Sequence, residues 1–507
     1  MRVSNLAAAA ASAALLAAPP AWADVTPEQV WGDLEAYLAS FGYAVTAEES
    51  RSGDTLTLTD MTVRMSFPED EGEMTVMLEQ MALRDQGDGT VALDLPATLP
   101  VRISIAPTDE ETVDLTLDYT LDGMEMIIAG DPEDMTYVYS ATSMAVVLSE
   151  LVVDDETIPS DNAAAQISAG PVDGETRITL AEGMRAISQQ LSLGTVSYDI
   201  LGSDPEGDGA GMLAGTLEGV SSDSTTELPE AVSSETMNDL LRAGMTVDAT
   251  TRYTAGQSRF TMTEDGQTTS GETSSRGGSF ALKMSQDALD YDLRALGMSV
   301  DLTTPEMPFP ITAQMDEMRL GLMMPVGASE EPVDAAAKLT LAGFTTSDMI
   351  WSIFDPMGIL PRDPATVAID LAGKVTPSVD LLDPEQIEAL DGQTPPGELN
   401  ALTLNNLTIE AAGAQITGEG DFTFDNTDLQ SFDGMPRPEG ALSLKLSGAN
   451  GLIDNLIQMG LVSDQDAMGA RMMMSMFAVP GSEPDTLNST IEVNEQGHVL
   501  ANGQRIK

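Results

Sequence analysis

Few residues in this chain have the types and spacing that chemistry demands. His498 is the sole histidine and sits in Glu495-Gln496-Gly497-His498-Val499, the pattern of a hairpin turn entering a strand. Catalysis by a serine or cysteine nucleophile needs a base beside the attacking atom, and the chain has no cysteine. His498 therefore reads as a structural or solvated turn residue. A Ser-x-x-Lys pair would place lysine one helical turn from its serine. Three positions before Lys283, Lys338, Lys374, Lys445 and Lys507 stand Phe280, Ala335, Leu371, Leu442 and Gln504, none of them serine. Neither a Gly-x-x-x-x-Gly-Lys phosphate loop nor a His-Glu-x-x-His helix occurs. Transition metals would lack their preferred thiolate and imidazole ligands. No catalytic, cofactor-binding or metal residue is assigned.

Carboxylates are abundant, 82 in all. They keep open one enzymatic alternative, a carboxylate-based glycan hydrolase, which predicts two acids converging in a cleft. The stretch Asp204-Pro205-Glu206-Gly207-Asp208-Gly209 begins like a calcium loop, but Gly215 stands where a bidentate glutamate is needed. It reads as a solvated acidic turn, with divalent cations associating diffusely with the acidic surface. Of 31 methionines, Met468, Met472, Met473, Met474 and Met476 cluster, and the helical spacing of Met468, Met472 and Met476 predicts a packed amphipathic face in preference to a copper site.

The formal net charge is −60, which repels nucleic acid and anionic headgroups, so nucleic-acid binding is set aside. An acidic, lysine-poor surface suits a salty habitat in which self-repulsion is screened. Residues 1–23 have the form of a secretory signal: Arg2, an apolar run from Leu6 to Ala18, and Ala21-Trp22-Ala23 with small residues at the cleavage-determining positions, predicting a cut between Ala23 and Asp24. The rival, an uncleaved anchor, would need about 20 apolar residues. No later stretch is long and apolar enough to span. The expectation is a soluble periplasmic protein without a stable membrane span.

A capping box, Thr26-Pro27-Glu28-Gln29, opens a helix carrying Val30, Trp31, Leu34, Tyr37, Leu38 and Phe41. Thereafter the period is two. Thr112 to Leu121 alternates polar and apolar without a break, and similar runs occur at Thr55–Thr59, Val101–Ile105, Arg177–Leu180, Ala401–Leu404, Phe422–Phe424 and Leu442–Leu446. Turn formers such as Gly87-Asp88-Gly89, Asp122-Gly123, Gly130-Asp131-Pro132 and Asp433-Gly434 separate strands. Short helices are predicted after Ser233 or Ser234, after Ser347, and from Leu452 to Met459, the last two hinting at a repeat. Linkers are predicted at Gly202–Gly211, Ser221–Glu227, Gly266–Gly278 and Gln393–Gly397. The fold class is mainly β (α+β), with extended antiparallel sheets of successive hairpins and a few short helices. The predicted division is 24–230, 231–395 and 396–507. An outer-membrane barrel is disfavoured by charged wet faces, aromatics at 4% and the terminal Arg505-Ile506-Lys507.

Ala441-Leu442-Ser443-Leu444-Lys445-Leu446, Gly451-Leu452-Ile453-Asp454-Asn455-Leu456 and Val499-Leu500-Ala501-Asn502-Gly503-Gln504 resemble domain-of-unknown-function family 2125, a group of exported bacterial proteins. The resemblance implies location and a β-rich fold, with no activity attached. More distantly the ending is similar to AsmA-like envelope proteins, whose long sheets are associated with lipid handling. Those commonly keep an N-terminal anchor, whereas this chain is expected to lose its own. The reading is a non-catalytic envelope protein, either a scaffold or a binder of a lipid or other apolar ligand on a sheet face lined by Met, Leu and Phe, with an envelope protein as the other partner class.

Overall fold

The structure is a computed structural model and describes residues 24–67, 72–108, 110–204, 207, 209–230, 237–390 and 395–507. The signal segment through Ala23 and the helix caps at Ser233 and Ser234 lie outside these residues. Among the described residues no helix is long and apolar enough to cross a membrane.

The first half of the chain is built from α1 (Pro27–Ser40), β1 (Ala44–Ser52), β2 (Thr55–Ser66), β3 (Gly72–Asp85), β4 (Val91–Asp94), β5 (Thr98–Pro107), β6 (Val113–Asp122), β7 (Glu125–Asp131), β8 (Asp134–Ala141), β9 (Ser143–Val153), β10 (Glu156–Thr157), β11 (Ala163–Ala181), β12 (Met184–Ser203) and β13 (Ala210–Pro229). After α2 (Met237–Arg242) come β14 (Thr246–Tyr253), β15 (Ala255–Glu264), β16 (Gln267–Ser275), β17 (Gly278–Met284), β18 (Ala288–Thr303), β19 (Ile311–Pro325) and β20 (Val333–Thr346). The remainder is α3 (Asp348–Phe354), β21 (Ala365–Pro377), α4 (Pro384–Glu388), β22 (Gly397–Ala411), β23 (Ala414–Asp425), β24 (Arg437–Ser447), α5 (Ala449–Gln458), α6 (Asp464–Phe477), β25 (Val479–Pro480), β26 (Thr486–Val493), β27 (Val499–Ala501) and β28 (Gln504–Arg505).

All strands join one antiparallel sheet. Its pairings reduce to an up-and-down meander, because several strands are collinear halves of one longer ribbon. β14 and β15 together oppose β13, and β16 and β17 together oppose β18. β6 with β7 and β8 with β9 are likewise halves of two neighbouring ribbons. Pairing passes residue 230 through β13 and β14, and residue 395 through β21 and β22. The expected mainly-β fold with short helices is what forms.

The joints between half-strands fall on one line across the sheet. Pairing skips Gly123 opposite Thr142, Pro171 opposite Gly194, Gly219 opposite Thr254, and Gly297 opposite Asp316. Left-handed glycines mark the line: Gly123 at φ 62°, Gly219 at 56°, Gly297 at 54° and Gly343 at 68°. Asp122-Gly123, expected as a hairpin turn, is thus a joint within a ribbon. The line reverses which residues face which side. The Tyr253 ring lies over both Gly278, its cross-strand partner, and Gly256, three residues along its own chain, and its hydroxyl accepts from Ser275 Oγ at 3.2 Å. In an unbroken strand residues 253 and 256 would point to opposite faces. A second correction concerns the Ser- and Thr-rich segments. Ser221–Glu227 belongs to β13, and most of Gly266–Gly278 to β16 and β17, so these are strands and not linkers. Their small hydroxyls pair across strands, as Ser222 with Thr251 at 3.0 Å and Ser258 with Thr273 at 2.6 Å.

With parity switched at this crease, one face stays uncharged along whole rows. Below it, Leu99, Tyr119, Val146, Ile167, Tyr198, Gly215, Ser258, Thr273, Val300, Ala313 and Thr346 are successive register partners. Above it, Phe280, Leu293, Leu320, Leu339, Ile369, Leu407, Gly418 and Leu444 form another row. The other face carries the ions, with Lys283 paired to Asp248 (2.8 Å), Lys338 to Asp370 (2.7 Å) and Lys374 to Asp334 (2.7 Å), each a cross-strand partner.

Most of this sheet has no second layer. The accessible surface is 29501 Å², whereas a compact chain of this mass would expose about 18,000 Å². Curvature and helices supply the core. α1, with its capping box in place, packs Val30 and Trp31 on Leu56, Leu58 and Leu83. Its other end brings Tyr37 and Phe41 to Leu228 of β13. A 14-residue helix is about 21 Å long, whereas β2 to β13 laid flat would span about 34 Å, so the sheet curls around α1 as a trough. At the other end α5 and α6 cover Ile416, Leu444, Leu446 and Leu487. Here the methionine expectation fails. Met468, Met472 and Met476 face solvent at 56–69% exposure, while Met474 and Phe477 on the opposite side line a 270 Å³ cavity. The α5 N-terminus, preceded by left-handed Gly448, is capped from outside by Asp485, which accepts from the backbone N–H groups of Asn450 (3.1 Å) and Gly451 (3.0 Å).

Two predictions follow from this geometry. In Gly219→Ala a Cβ would lie 2.7 Å from Thr254 Oγ1 on top of the left-handed φ, whereas at Gly183 (φ 79°) nothing lies within 4 Å. The crease substitution should cost about 1–3 kcal/mol in urea titrations, and Gly183→Ala measurably less.

Backbone N–H groups of Ile359 and Leu360 hold the buried Asp355 carboxyl below the usual range. A hydrogen bond from Lys338 does the same for Asp370. At Asp485 burial opposes the shift, and the α5 backbone donors prevail and lower it. Carboxyls depressed in the folded state stabilise it fully above the ordinary value of about 3.9 and lose that contribution as pH falls through their folded values. Urea midpoints should therefore be flat from pH 7 to about 5 and fall steeply below about 4, and a midpoint unchanged down to pH 2 would contradict this assignment.

Candidate functional site

A largely apolar space lies between α1 and the trough floor, a cavity of 450 Å³ and within the range of about 300–1,000 Å³ usual for small-molecule sites. Three register rows build its floor. Val91, Ile128, Tyr137, Thr176 and Gln189 form one, Leu93 lies near Met126, Tyr139 and Gly174 in the next, and Met135, Ile178 and Ile187 make the third. Gly174 is required here, because a Cβ would collide with the Tyr139 ring that crosses it. The roof is one face of α1, where helical spacing brings Val30, Trp31, Leu34 and Tyr37 together.

One charged pair is enclosed with these groups. Arg185, at the start of β12, donates to Asp33 of α1 through both terminal nitrogens, at 2.9 and 2.6 Å, and the two side chains are only 4% and 8% exposed. The guanidinium also lies 5.6 Å from the Tyr37 ring centroid. Such a two-pronged bond fixes the rotation of α1 and hence which side chains face the floor. Burial pushes the Tyr137 phenol up to about 12, Asp33 adding to the shift and Arg185 opposing it, so it stays protonated at neutral pH. Burial also raises Tyr37. Outside the cavity, Trp31 Nε1 donates to Glu49 (3.2 Å) and Arg51 bonds Glu28 (2.7 Å), tying α1 to β1. The site can enclose an apolar group and offer a few neutral donors, and it contains no nucleophile–base pair.

The trough continues past this roof. Phe280, Leu293 and Leu320 of the upper row are 38–45% exposed, as are Ile200 and Leu213 below the crease at about the same level. A second and larger space of 680 Å³ lies below the crease on β13, β15, β16, β18, β19 and β20.

Several residues singled out by sequence lie elsewhere. His498 is in the β26–β27 connection, where its N–H donates to Asn494 Oδ1 at 3.0 Å. The acidic turn from Asp204 is only partly described, and its Gly215 lies within β13. Among the described residues no cluster of His, Asp or Glu is arranged to hold a metal. Ser347 occupies the N-cap position of α3 as expected, but its hydroxyl makes no capping bond. Sequence reasoning found the α1 side of the cavity in Trp31, Leu34 and Tyr37, and missed Asp33, Tyr137, Tyr139, Gln189 and Arg185. No local signal links residue 33 to residue 185.

Removing Arg185 alone strands a buried carboxylate. Arg185→Met should cost about 3–5 kcal/mol, whereas Asp33→Leu combined with Arg185→Met should recover most of that loss. Urea denaturation of both variants checks this, and equal losses would show that the pair itself holds α1 in place.

No curated protein matches the chain. Among solved structures, the unliganded ferric citrate transporter FecA aligns at 8% identity over 91% of this chain and 76% of its own, with a TM-score of 0.15, too low to bear on fold or function. The sequence profile of a bacterial family matches residues 216–502, from β13 to β27, which is more than half the chain; it contains the first two segments that carried the resemblance and the third as far as Asn502. The chain belongs to DUF2125, described as an uncharacterized protein conserved in bacteria.

Proposed function

We propose that this chain is a non-catalytic periplasmic protein that binds an acyl chain or similar apolar ligand along its trough, with the cavity beneath α1 as the principal seat. The observation that carries the reading is the charge-free register rows, which run across neighbouring ribbons and remain partly open to solvent between the α1 roof and the α5–α6 cover. A soluble protein rarely exposes a continuous apolar surface of this extent unless something occupies it. An apolar chain needs no hydrogen-bond partner, which suits a floor of Leu, Ile, Phe and Met. Tyr137, Tyr139 and Gln189 would meet a polar end without supplying charge. The periplasmic placement is supported by the form of residues 1–23.

Native mass spectrometry with organic extraction of the chain purified from a periplasm tests the reading. The expected result is a defined co-purified mass that falls to background in Ile187→Glu, which puts a charge on the cavity floor. A clean apo mass from cells with normal lipid supply would overturn the binding reading in favour of a scaffold.

A further inference from the structure

The cavity beneath α1 has a mouth as well as a floor, and its polar groups fall on a single register row. Tyr137 of β8, Thr176 of β11 and Gln189 of β12 are successive cross-strand partners that line the cavity, and Ser224 of β13 is the next partner in the row. All four lie above the crease, where the alternation is unbroken, so their side chains share the trough face. Gln189 is exposed and marks where the row passes from beneath α1 into the open trough. Ile178 and Ile187 flank the row on one side and Leu191 on the other, two positions along each ribbon and therefore on the same face. Four ribbons at about 4.8 Å spacing make the row about 14 Å long, a polar seam set between apolar ones.

The row is neutral. Tyr137 Oη donates to the Met135 thioether, a weak acceptor, at 3.9 Å, and Gln189 Nε2 donates to the Tyr139 hydroxyl at 3.3 Å. Asp33 is the charged residue in the lining, and it holds both terminal nitrogens of the buried Arg185, so neither charge is left for a ligand. A carboxylate or phosphate entering the cavity would lose its hydration without meeting a counter-charge, on a chain whose net charge is −60. A ligand hydroxyl or ester carbonyl needs only the donors and acceptors that this row presents. Resting on the acyl-binding reading above, we propose that the ligand carries a neutral, hydroxyl-bearing head, as in a glycerol ester of a fatty acid, in preference to a free fatty acid. The head lies along Tyr137, Thr176 and Gln189, and the tail lies under α1.

Isothermal titration calorimetry of the delipidated chain near pH 7 compares monodecanoylglycerol, methyl decanoate and decanoate, which share one tail. Monodecanoylglycerol should bind at least about tenfold more tightly than decanoate, and at least about threefold more tightly than methyl decanoate although the methyl ester is the more apolar. Thr176→Val exchanges the central hydroxyl for a methyl, and it should erase the advantage over methyl decanoate while leaving methyl decanoate binding unchanged. Gln189→Lys, at an exposed position, supplies the missing cation and should bring decanoate to within about threefold of monodecanoylglycerol. Decanoate binding as tightly as the glycerol ester in the unaltered chain, or a selectivity indifferent to both variants, would overturn the head-group assignment and leave the acyl reading standing. Absence of binding by all three ligands at millimolar concentration would overturn both.

Discussion

Side chains on a strand alternate with period two, so a ribbon of nearly twenty residues can keep one face apolar only while that alternation is unbroken or while every neighbour breaks it at the same level. In this molecule the neighbours break together. Gly123, Gly219, Gly297 and Gly343 take left-handed conformations on one line across the sheet, and the residues between them in that line, Thr142, Pro171, Thr254 and Asp316, drop out of the pairing. A single ribbon that switched parity alone would turn its Leu and Val outward and its Asp and Thr into the trough. The uncharged rows above and below the crease, and the spaces they border, exist because the switch is collective.

A single-layer sheet must still satisfy its apolar face and its charges. Curling around α1 buries the first third, and the Arg185–Asp33 bond sets the roof at one rotation. Further along, α5 and α6 cover a shorter stretch, and the rows between are left partly bare. The scarce basic side chains are spent on the outer face, where Lys283, Lys338 and Lys374 each oppose an acid across a ribbon. These exposed pairs contribute little individually, because water screens them and two long side chains must be held in place. Their larger effect is to break up like-charge runs on neighbouring strands, which would otherwise disfavour pairing.

Much of the fold was legible in the sequence. The capping box gave α1 almost to the residue, and the alternation of Thr112 to Leu121 gave β6 and its wet face. The crease was not legible, since Asp122-Gly123 has the composition of a hairpin turn and only pairing on both flanks reveals a joint. Ser221–Glu227 misled for a related reason: serine and threonine favour loops by bonding nearby backbone, yet in a ribbon the same hydroxyls bond across strands. The methionines of α6 kept their predicted stripe but turned it outward, because Ala467, Met474 and Phe477 supplied the packing face instead. Of the site, the α1 half was visible as an amphipathic helix. The floor depends on register between strands far apart in sequence, and the Asp33–Arg185 bond spans 152 positions.

Because the sheet is a meander, almost every ribbon is bonded only to the one before it and the one after, and among the described residues β1 is not paired to β28. Closure therefore fixes neither the number of ribbons nor the width of the sheet, as it would in a barrel. A hairpin is the natural unit of change: adding or removing two ribbons restores strand direction and returns the chain to the same level of the crease. The reach of the trough is in this sense an adjustable quantity, which insertion or loss of whole hairpins could alter while the α1 roof at one end and the α5–α6 cover at the other kept their own local packing.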